Sequence, residues 1–339
     1  MNCLRVGIIG CGWTGEQHIR AYRSLKDVAV LAAVDINERE AKRFATKWKV
    51  KVWYKDYRML LKNPEIDAVS ICVPHHLHSK ISVEAAEMGK HILCEKPLAI
   101  SLKEADKMIK AAEKAGIILM VAENVRFHPI NLKIKELIDE GFIGEVFLAR
   151  IFRDHEIHEY LRARPWFLDK VKAGGGIWIS GGIHDVDALR MLLGEVEEIS
   201  MFQAKKVFLE MEGEDTVAAI MKFKSGAVGV MTESFSTKVF KQVSPLGCPY
   251  IVNGSDGTIM THSNYLDLYS EKMEEPSVCM RIRVEERDTF IEEIKHFINC
   301  IKREETPITS GEEERKTLAV ICAGYKSLKK EGAPVKVKY

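Results

Sequence analysis

The sequence of 339 residues has no long apolar run, no cysteine pattern and no strong charge imbalance. No apolar stretch approaches the roughly 18–20 residues of a membrane span, and the N-terminal apolar stretch is too short for a signal peptide. The eight cysteines are irregularly spaced without a CxxC pair, which favours a reduced, cytoplasmic protein without a disulfide framework. The net charge of +1 is spread evenly, so we expect neither a nucleic-acid nor a membrane partner.

The first third of the chain has the pattern of buried parallel strands separated by helices. The continuous apolar runs are LRVGIIG, VAVLAAVD, DAVSICVP, HILCEKP and GIILMVAE. In the clearest amphipathic stretch between them, Ser101 and Glu104 form a capping box and Gly116 marks the end of the helix. This alternation predicts an α/β domain with a doubly wound parallel sheet.

The pattern changes after about Asn124. A helix is predicted at PINLKIKELIDEG, longer alternating strands at EVFLARIFRD, TVAAIMKFK and AVGVMTESF, and two late helices at DTFIEEIKHFINCIKREE and SGEEERKTLAVICAGYKSLKKEG. We therefore expect a C-terminal α+β domain with a large mixed, mostly antiparallel sheet. The chain is long enough for two domains, which we place at 1–123 and 124–339.

A dinucleotide-binding fingerprint follows the first predicted strand. Gly10, Gly12 and Gly15 have GxGxxG spacing and open a helical stretch, which is the context that the motif requires. The first glycine makes the turn, the second admits the pyrophosphate and the third lets the helix pack on the strand. Trp13 and Thr14 then lie at the helix N-terminus, where free N–H groups bind phosphate. We interpret 1–123 as a Rossmann domain.

The residue that ends the second predicted strand indicates which cofactor binds. Asp35 lies at the distance from the glycines where an acidic side chain binds the adenosine ribose. Its charge would repel a 2′-phosphate and Ile36 follows it, so NAD is favoured over NADP, although the nearby Arg39 keeps NADP open. The alternative is a chance glycine cluster in a doubly wound fold that binds another ligand.

With these motifs the chain resembles the Gfo/Idh/MocA oxidoreductases, the group of glucose–fructose oxidoreductase and inositol dehydrogenase. The resemblance rests on GCGWTGEQHI, EKP, ENVRFHP, GFIGEV and GGGIWISGGIHDVDALRMLLG, and it covers almost the whole chain. It implies a Rossmann domain followed by a mixed-sheet domain for substrate binding and oligomerisation, whose C-terminal helix can pack back on the first domain. It also implies a homodimer or homotetramer that reversibly oxidises a hydroxyl of a sugar, cyclitol or sugar acid with a nicotinamide cofactor.

Lys96 follows a predicted buried strand, in the sequence EKP. Ligands of open α/β sheets bind at the carboxyl ends of the strands, where an ammonium can stabilise a developing alkoxide or relay a proton. Pro97 restricts the backbone directly after it. The resemblance assigns Lys96 to catalysis and places Glu95 near the nicotinamide. The alternative is a structural Lys–Glu pair at the strand edge.

His184 is the second predicted catalytic residue. The resemblance makes it the proton acceptor for the substrate hydroxyl, and histidine titrates near neutral pH. Asp187, three residues later, is expected on the same helix face, where it orients the imidazole or makes local contacts. Ser180 stands where inositol dehydrogenase-like relatives carry aspartate, on the same predicted helix face as His184. We therefore expect either proton transfer without a carboxylate, on a different substrate, or loss of ordinary dehydrogenase activity.

Other cofactor contacts are implied by the resemblance alone. Val73, Pro74 and His78 would line the nicotinamide ribose, and Asn124 would reach the carboxamide region. His75 and His76 beside His78 invite a metal interpretation, but further ligands at a workable spacing are not evident, so we expect no metal site.

Substrate specificity is expected from the segment 153–166 and from the loops after Thr232. Arg153 and Trp166 are the candidates in this segment, because a cation and an aromatic ring can hold a sugar or an acid. The alternative is a solvated rim. Two other functions also remain open: a redox-neutral, NAD-dependent glycosidase or lyase, and a non-catalytic NAD(P)-binding sensor.

Overall fold

The computed structural model describes residues 3–238, 250–273 and 279–339. The chain divides into two compact units. The first contains the N-terminal residues up to Asn124 together with Asp288–Arg315, and the second contains Val125–Arg287 together with Lys316–Tyr339. The division near Asn124 lies within one residue of the boundary expected from the sequence. The grouping of Asp288–Arg315 with the first unit differs from the sequence-based assignment of 124–339 to one domain.

The first unit contains a six-stranded sheet in which every pair is parallel. Its strands are β1 (Leu4–Ile9), β2 (Val28–Val34), β3 (Val52–Tyr54), β4 (Ala68–Ile71), β5 (His91–Glu95) and β6 (Leu119–Ala122). The order β3-β2-β1-β4-β5-β6 reverses direction between β1 and β4, which makes the sheet doubly wound. The predicted fold class is confirmed. The sequence analysis missed β3, whose three residues are too few to form an apolar run.

The helices between these strands are α1 (Trp13–Ser24), α2 (Glu38–Lys47), α3 (Tyr57–Leu61), α4 (His78–Glu87) and α5 (Leu102–Ala115). The predicted caps of α5 are confirmed. The Ser101 side chain accepts a hydrogen bond from the Glu104 N–H, and Gly116 ends the helix with a φ of 63°. Apolar residues of α5 at helical spacing are buried, so the helix is held by packing as well as by its caps.

The second unit contains a nine-stranded sheet. Its strands are β7 (Val146–Asp154), β8 (Val196–Gln203), β9 (Thr216–Phe223), β10 (Val228–Ser234), β11 (Tyr250–Gly254), β12 (Gly257–Thr261), β13 (Tyr265–Ser270), β14 (Met280–Arg283) and β15 (Val335–Lys336). The order is β14-β13-β12-β11-β7-β10-β9-β8-β15. Only the β7–β10 pair is parallel among the pairs of this sheet described in the structure. The predicted mixed, mostly antiparallel sheet is confirmed.

The helices of the second unit pack against this sheet or against one another. They include α6 (Pro129–Asp139), α7 (His158–Arg162), α8 (Lys170–Ala173), α9 (Ile177–Ser180) and α10 (Gly182–Leu193). In β9, buried residues such as Met221 alternate with exposed residues such as Ile220. This alternation shows that one face of the sheet packs in the core and the other faces outward.

Two helices lie between β14 and β15 in the chain, α11 (Thr289–Ile301) and α12 (Gly311–Leu328). Helix α11 packs against α1 within the first unit. Asp288 caps α11 by accepting hydrogen bonds from Phe290 and Ile291 N–H, and it pairs with Arg20 of α1. The sequence therefore returns to the Rossmann unit through a capped amphipathic helix. In the part of the chain that the structure describes, no helix is long and apolar enough to cross a membrane.

Candidate active site

The glycine-rich loop between β1 and α1 contains two glycines, each packed closely against a backbone carbonyl. Gly10 has a φ of 104°, and a Cβ there would lie 2.0 Å from the Cys72 carbonyl oxygen. A Cβ on Gly15 would lie 2.1 Å from the Gly10 carbonyl oxygen. Both distances are far below van der Waals contact, so the turn and the packing of α1 on β1 require these glycines.

Gly12 leaves open space at the start of α1. It is the N-cap residue, no side chain caps the helix, and a Cβ on Gly12 would have no atom within 4 Å. The first-turn N–H groups at Trp13 and Thr14 therefore border a space that suits a pyrophosphate. Trp13 is 51% exposed and makes an edge contact with Phe290. The residues present fit a dinucleotide.

Asp35 follows β2 and lies beside the glycine-rich loop. Its Oδ2 accepts a hydrogen bond from the Cys11 N–H at 3.0 Å, and its Oδ1 accepts one from the Asn37 N–H at 2.8 Å. These bonds fix the carboxylate at the edge of the loop, in the position that the fingerprint predicts for a ribose-binding acid. Arg39 is exposed on α2.

A buried chain of hydrogen bonds runs to Glu95 and the backbone of Lys96. The Tyr22 hydroxyl lies 2.9 Å from Ser70 Oγ, Ser70 Oγ lies 3.0 Å from His18 Nδ1, and His18 Nε2 lies 3.1 Å from Glu95 Oε1. Glu95 Oε2 accepts a hydrogen bond from the Lys96 N–H at 3.2 Å. Tyr22, His18 and Ser70 are fully buried.

An ionised Glu95 can only accept, so His18 Nε2–H donates to it. In the tautomer that leaves His18 Nδ1 as the acceptor, the Ser70 hydroxyl donates to Nδ1 and the Tyr22 hydroxyl donates to Ser70. Burial raises the pKa of Glu95, but His18 and the Lys96 ammonium outweigh burial and hold it below its ordinary value. The sequence analysis did not single out His18, although a histidine three residues after the last fingerprint glycine was a usable signal.

Lys96 lies directly after β5 and is half-buried, and its peptide bond to Pro97 is cis. The neighbouring backbone is joined to the loop after β4 by His78. The Nδ1 atom of His78 lies 2.8 Å from the Pro97 carbonyl oxygen, and its Nε2 atom lies 2.8 Å from the Val73 carbonyl oxygen. Burial lowers the pKa of His78, although both carbonyls favour the protonated ring. His78 thus links two loops through a fully buried ring, whereas we expected its side chain to line the cofactor ribose.

Pro74 and Asn124 also follow parallel strands of the first unit. Pro74 precedes a short 3-10 turn at His75–Leu77. The Asn124 side-chain amide donates a hydrogen bond to Thr289 Oγ1 at 3.0 Å. This bond connects the end of β6 to the start of α11, a contact that the sequence analysis did not predict.

Four glutamates of the first unit lie near one another. Glu293 on α11 is fully buried and neither of its carboxyl oxygens has a hydrogen-bond partner among the described residues. Burial raises the pKa of Glu293 well above its ordinary value, and the neighbouring Glu95, Glu123 and Glu314 raise it further. Burial and the neighbouring carboxylates therefore both favour the neutral, protonated form of Glu293. The sequence analysis missed this group.

In the second unit, the predicted single helix through Ser180 and His184 is interrupted. Helix α9 ends at Ser180, α10 begins at Gly182, and the Gly181 N–H bonds to the Ile177 carbonyl. The prediction that Ser180 and His184 share one continuous helix face is therefore wrong. Ser180 is buried and His184 is half-buried. A Cβ on Gly182 would lie 2.9 Å from the Trp178 ring, so a side chain is a close neighbour there.

Asp187 forms an ion pair with Arg126 in the second unit. It is fully buried and accepts hydrogen bonds from Arg126 Nε and Nη2 at 2.5 and 2.7 Å. The Thr317 hydroxyl donates a third bond at 2.8 Å. Asp187 therefore joins three elements of the second unit in an ion-pair network, whereas we expected it to contact a substrate.

The sequence analysis did not select Asp185, whose carboxylate binds Arg153. Arg153 Nε and Nη2 both donate to the Asp185 carboxylate at 2.6 Å, and the Tyr250 hydroxyl donates to it at 3.0 Å. Burial would raise the pKa of Asp185, but the Arg153 guanidinium keeps it below its ordinary value. Arg153 retains 23% side-chain exposure, so it can still face a ligand while it is bound to Asp185.

The remaining substrate candidate, Trp166, stacks on Phe167 with ring centroids 3.7 Å apart. In the same segment Arg162 pairs with Glu210 and Glu159, as in a solvated rim. Within residues 3–238, 250–273 and 279–339, no group of His, Cys, Asp or Glu side chains is arranged to hold a metal ion.

The structure brings most of the first-unit candidates together at one edge. The fingerprint loop, Asp35, the Val73–Pro74 loop, Lys96 and Asn124 each follow the carboxyl end of a parallel strand. The carboxyl ends of parallel strands form one edge of the sheet, where ligands bind in open α/β folds. Ser180, His184, Asp185 and Arg153 are arranged around the first turn of α10 in the second unit.

Comparison with known proteins agrees with this arrangement. Residues 4–123 match the GFO_IDH_MocA oxidoreductase family with its NAD-binding Rossmann fold, and residues 131–260 match the GFO/IDH/MocA C-terminal domain. The chain is 33% identical to myo-inositol 2-dehydrogenase of Thermotoga maritima, over 97% of both chains. It is 28% identical to the NAD(+)-dependent scyllo-inositol 2-dehydrogenase of Bacillus subtilis, over 98% of this chain and 96% of that one.

A solved structure shows the same fold. Levoglucosan dehydrogenase in complex with NADH and levoglucosan superimposes with a TM-score of 0.87 at 24% identity, covering 99% of this chain and 100% of that one. The fold, the fingerprint geometry and the full-length likeness agree. The chain belongs to the Gfo/Idh/MocA family of NAD-binding oxidoreductases.

Proposed function

We propose that the protein reversibly oxidises a hydroxyl of a sugar or cyclitol, with NAD as the hydride acceptor and with Lys96 and His184 handling the proton. The observation that carries this proposal is the placement of Lys96 at the carboxyl edge of the parallel sheet, beside a Glu95 held by the buried hydrogen-bond chain. The likeness to two inositol dehydrogenases over nearly the whole chain supports a cyclitol or sugar substrate.

Lys96 is suited to stabilise charge on the reacting oxygen. Its ammonium would donate a hydrogen bond from Nζ to the substrate oxygen and stabilise the alkoxide that develops as the proton leaves. Glu95 accepts from the Lys96 N–H, so the backbone that carries the lysine is connected to the buried chain through His18. A lysine held in this way loses less conformational freedom when the substrate binds.

His184 would accept the hydroxyl proton at a ring nitrogen. It lies in the first turn of α10, directly before Asp185, and it is half-buried. The Asp185 carboxylate favours a positive charge on a neighbouring imidazole, which suits a group that must take up a proton. The negative charge of Asp185 would therefore replace part of the function of the carboxylate that Ser180 lacks.

The glycine-rich loop and Asp35 would hold the cofactor, and NAD supplies the hydride-accepting ring when it is bound. The N–H groups that follow Gly12 would bind the pyrophosphate, and the Asp35 carboxylate would accept hydrogen bonds from the ribose hydroxyls. A 2′-phosphate would meet this negative charge, so the site favours NAD over NADP.

The test is a steady-state assay of NADH formation across inositols, aldoses, anhydro-sugars and sugar acids, with NAD and NADP in parallel. We expect turnover with at least one polyol and NAD. We also expect that Lys96→Met and His184→Asn each lower kcat about a hundredfold or more while the NAD affinity changes less than threefold. NADH binding without turnover on any substrate would reject the dehydrogenase and favour a sensor. Glycoside cleavage without net NADH formation would favour the redox-neutral lyase.

We also propose that the outward face of the second sheet joins two copies of the chain in a homodimer or homotetramer. Cross-strand neighbours on this face include Ile220 with Val230 and Ile251 with Met260, on either side of Arg150 of β7, and Ile220 is 54% exposed. Exposed apolar pairs of this kind are suited to burial against a second copy. Sedimentation should show a smaller species for Ile220→Asp, whereas Met59→Asp, at a comparably exposed site on α3, should leave the assembly unchanged. A monomeric wild type would reject this proposal.

A further inference from the structure

Glu233 is a buried carboxyl that the sequence analysis did not select. It lies on β10, in register with Arg153 of the parallel strand β7. Its side chain is fully buried, and Arg153 Nε lies 3.7 Å from Glu233 Oε1. A charged side chain in this position is costly unless it is paired or neutral.

The group facing Glu233 is Asp185. Asp185 already accepts two hydrogen bonds from Arg153 and one from Tyr250. If both carboxyls were ionised, neither Glu233 oxygen would have a donor, whereas a proton on Glu233 gives a hydrogen bond between the two groups. Burial raises the pKa of Glu233 well above its ordinary value, and the Asp185 charge raises it further, which favours the shared proton on Glu233 and a hydrogen bond from its hydroxyl to Asp185.

Glu233 also reaches the break between α9 and α10. A Cβ on Gly181 would lie 3.3 Å from Glu233 Oε2, so this carboxyl packs directly beside the residue that follows Ser180. Serine cannot provide a carboxyl at position 180. Glu233 on β10 of the second sheet provides a carboxyl beside the same turn, next to Asp185, which follows His184 in the chain.

We propose that Glu233 is a positioning and specificity residue of the site. As a neutral acid it holds the Asp185 carboxylate on Arg153, so that these three side chains together present hydrogen-bonding atoms without net charge. The site then selects an uncharged polyol over a sugar acid. This inference rests on the proposed dehydrogenase function. It makes Glu233 act through Asp185 and Arg153, without contact to the substrate.

The charge balance supports this selectivity. Arg153 contributes one positive charge, Asp185 one negative charge and the protonated Glu233 none. Two guanidinium N–H groups of Arg153 are engaged by Asp185 in a forked pair, so they are not presented to a substrate carboxylate. The other titratable groups that influence these residues include His128, Asp154, His155 and His184. Burial raises the pKa of Asp154, which disfavours its negative charge, and lowers the pKa of His128 and of His155, which disfavours a positive charge on either ring.

The kinetic test compares two substitutions in the full-length protein. Glu233→Gln keeps a neutral hydrogen-bond donor, so we expect kcat and the polyol KM to stay within twofold of wild type. Glu233→Leu removes the donor, so the polyol KM should rise about tenfold while kcat and the KM for NAD stay within threefold. A wild type that oxidises the matching sugar acid as well as the polyol would overturn the proposal. So would equal damage in both variants, or an unchanged KM in Glu233→Leu.

An infrared spectrum tests the proton separately from activity. The wild type at pH 7 should show the carbonyl band of a buried carboxylic acid that Glu233→Gln lacks, and Glu293→Gln identifies the band of the other neutral acid. Absence of a Glu233 band would overturn the proposal even if the enzyme is active. If no polyol is oxidised, the proposed function fails, whereas a Glu233 band would still support the neutral acid pair.

Discussion

The hydrogen-bond chain behind Glu95 predicts a measurable cost for replacing His18. In His18→Phe, Glu95 loses the N–H that it accepts from and Ser70 loses its acceptor, while the ring volume and the edge contact with Phe290 are largely kept. A hydrogen bond to a neutral partner contributes about 0.5–1.5 kcal/mol and one to a charged partner about 1.5–3 kcal/mol. The free energy of unfolding should therefore fall by about 2–4.5 kcal/mol at pH 7.

The loss should depend on pH in a defined direction. The pKa of Glu95 lies below its ordinary value in the folded protein, so its stabilisation is present above the unfolded pKa of about 4.3 and is lost as the pH falls through the lower folded value. Without His18, burial dominates and the pKa of Glu95 rises. The difference between wild type and His18→Phe should therefore be largest at neutral pH and decrease below about pH 4.

Urea unfolding followed by tryptophan fluorescence across this pH range measures the effect. Tyr22→Phe is the matched control, because it removes only the hydroxyl at the far end of the chain and should cost about 1 kcal/mol at every pH. A loss below 0.5 kcal/mol in His18→Phe, or a loss that does not change with pH, would contradict the assigned direction and charge of the chain.

Three further predictions concern other groups of the first unit. Gly12→Ala should weaken NAD binding about tenfold by filling the open space, with the urea midpoint unchanged, whereas Gly15→Ala should lower that midpoint because its Cβ meets the Gly10 carbonyl. Asp35→Ser should reduce the NAD-to-NADP ratio of kcat/KM at least tenfold; an unchanged ratio would contradict the ribose assignment. As the pH rises, Glu293→Gln should gain stability relative to wild type by about 1.4 kcal/mol per pH unit, over the range in which only the folded wild type keeps the proton on Glu293. Urea unfolding between pH 5 and 8 measures this difference, and an ionised Glu293 would give no such trend.

The sequence predicted the features that depend on local backbone geometry. Gly15 is required by its contact with the Gly10 carbonyl within one strand–turn–helix unit, Gly10 makes the turn with a φ of 104°, and Asp35 follows the next strand, so their spacing is visible in the chain. The α5 caps at Ser101 and Gly116 are local for the same reason. These positions were predictable because each is set by residues near it in sequence or by the repeated βαβ pattern.

The features that were missed depend on contacts between distant residues. His18 bonds to Ser70 and Glu95, which lie 52 and 77 positions away, and no single-sequence periodicity shows such a pair. The helix containing Ser180 was extended to His184 because its spacing is helical, whereas packing beside Glu233 and Trp178 accompanies a break at Gly181. Tertiary packing overrode local propensity there.

The spacing of Asp187 from His184 places it on the same helix face, and the structure shows that it binds Arg126 and Thr317. A fully buried aspartate needs a charged partner, which Arg126 provides from a distant part of the sequence. Asp185 and Glu233 were less apparent because their partners come from other strands. The side-chain contacts of the second unit could therefore be assigned only from the three-dimensional structure.

The most direct test of the central claim is transfer of the carbinol hydrogen to the cofactor. An active polyol labelled with deuterium at its carbinol carbons is incubated with NAD, and the reduced cofactor is analysed by mass spectrometry for wild type and Lys96→Met. The account predicts one deuterium in each reduced cofactor formed by the wild type, and formation slowed at least a hundredfold in Lys96→Met with NAD binding retained. Reduced cofactor without deuterium, or equal rates in the two proteins, would contradict it.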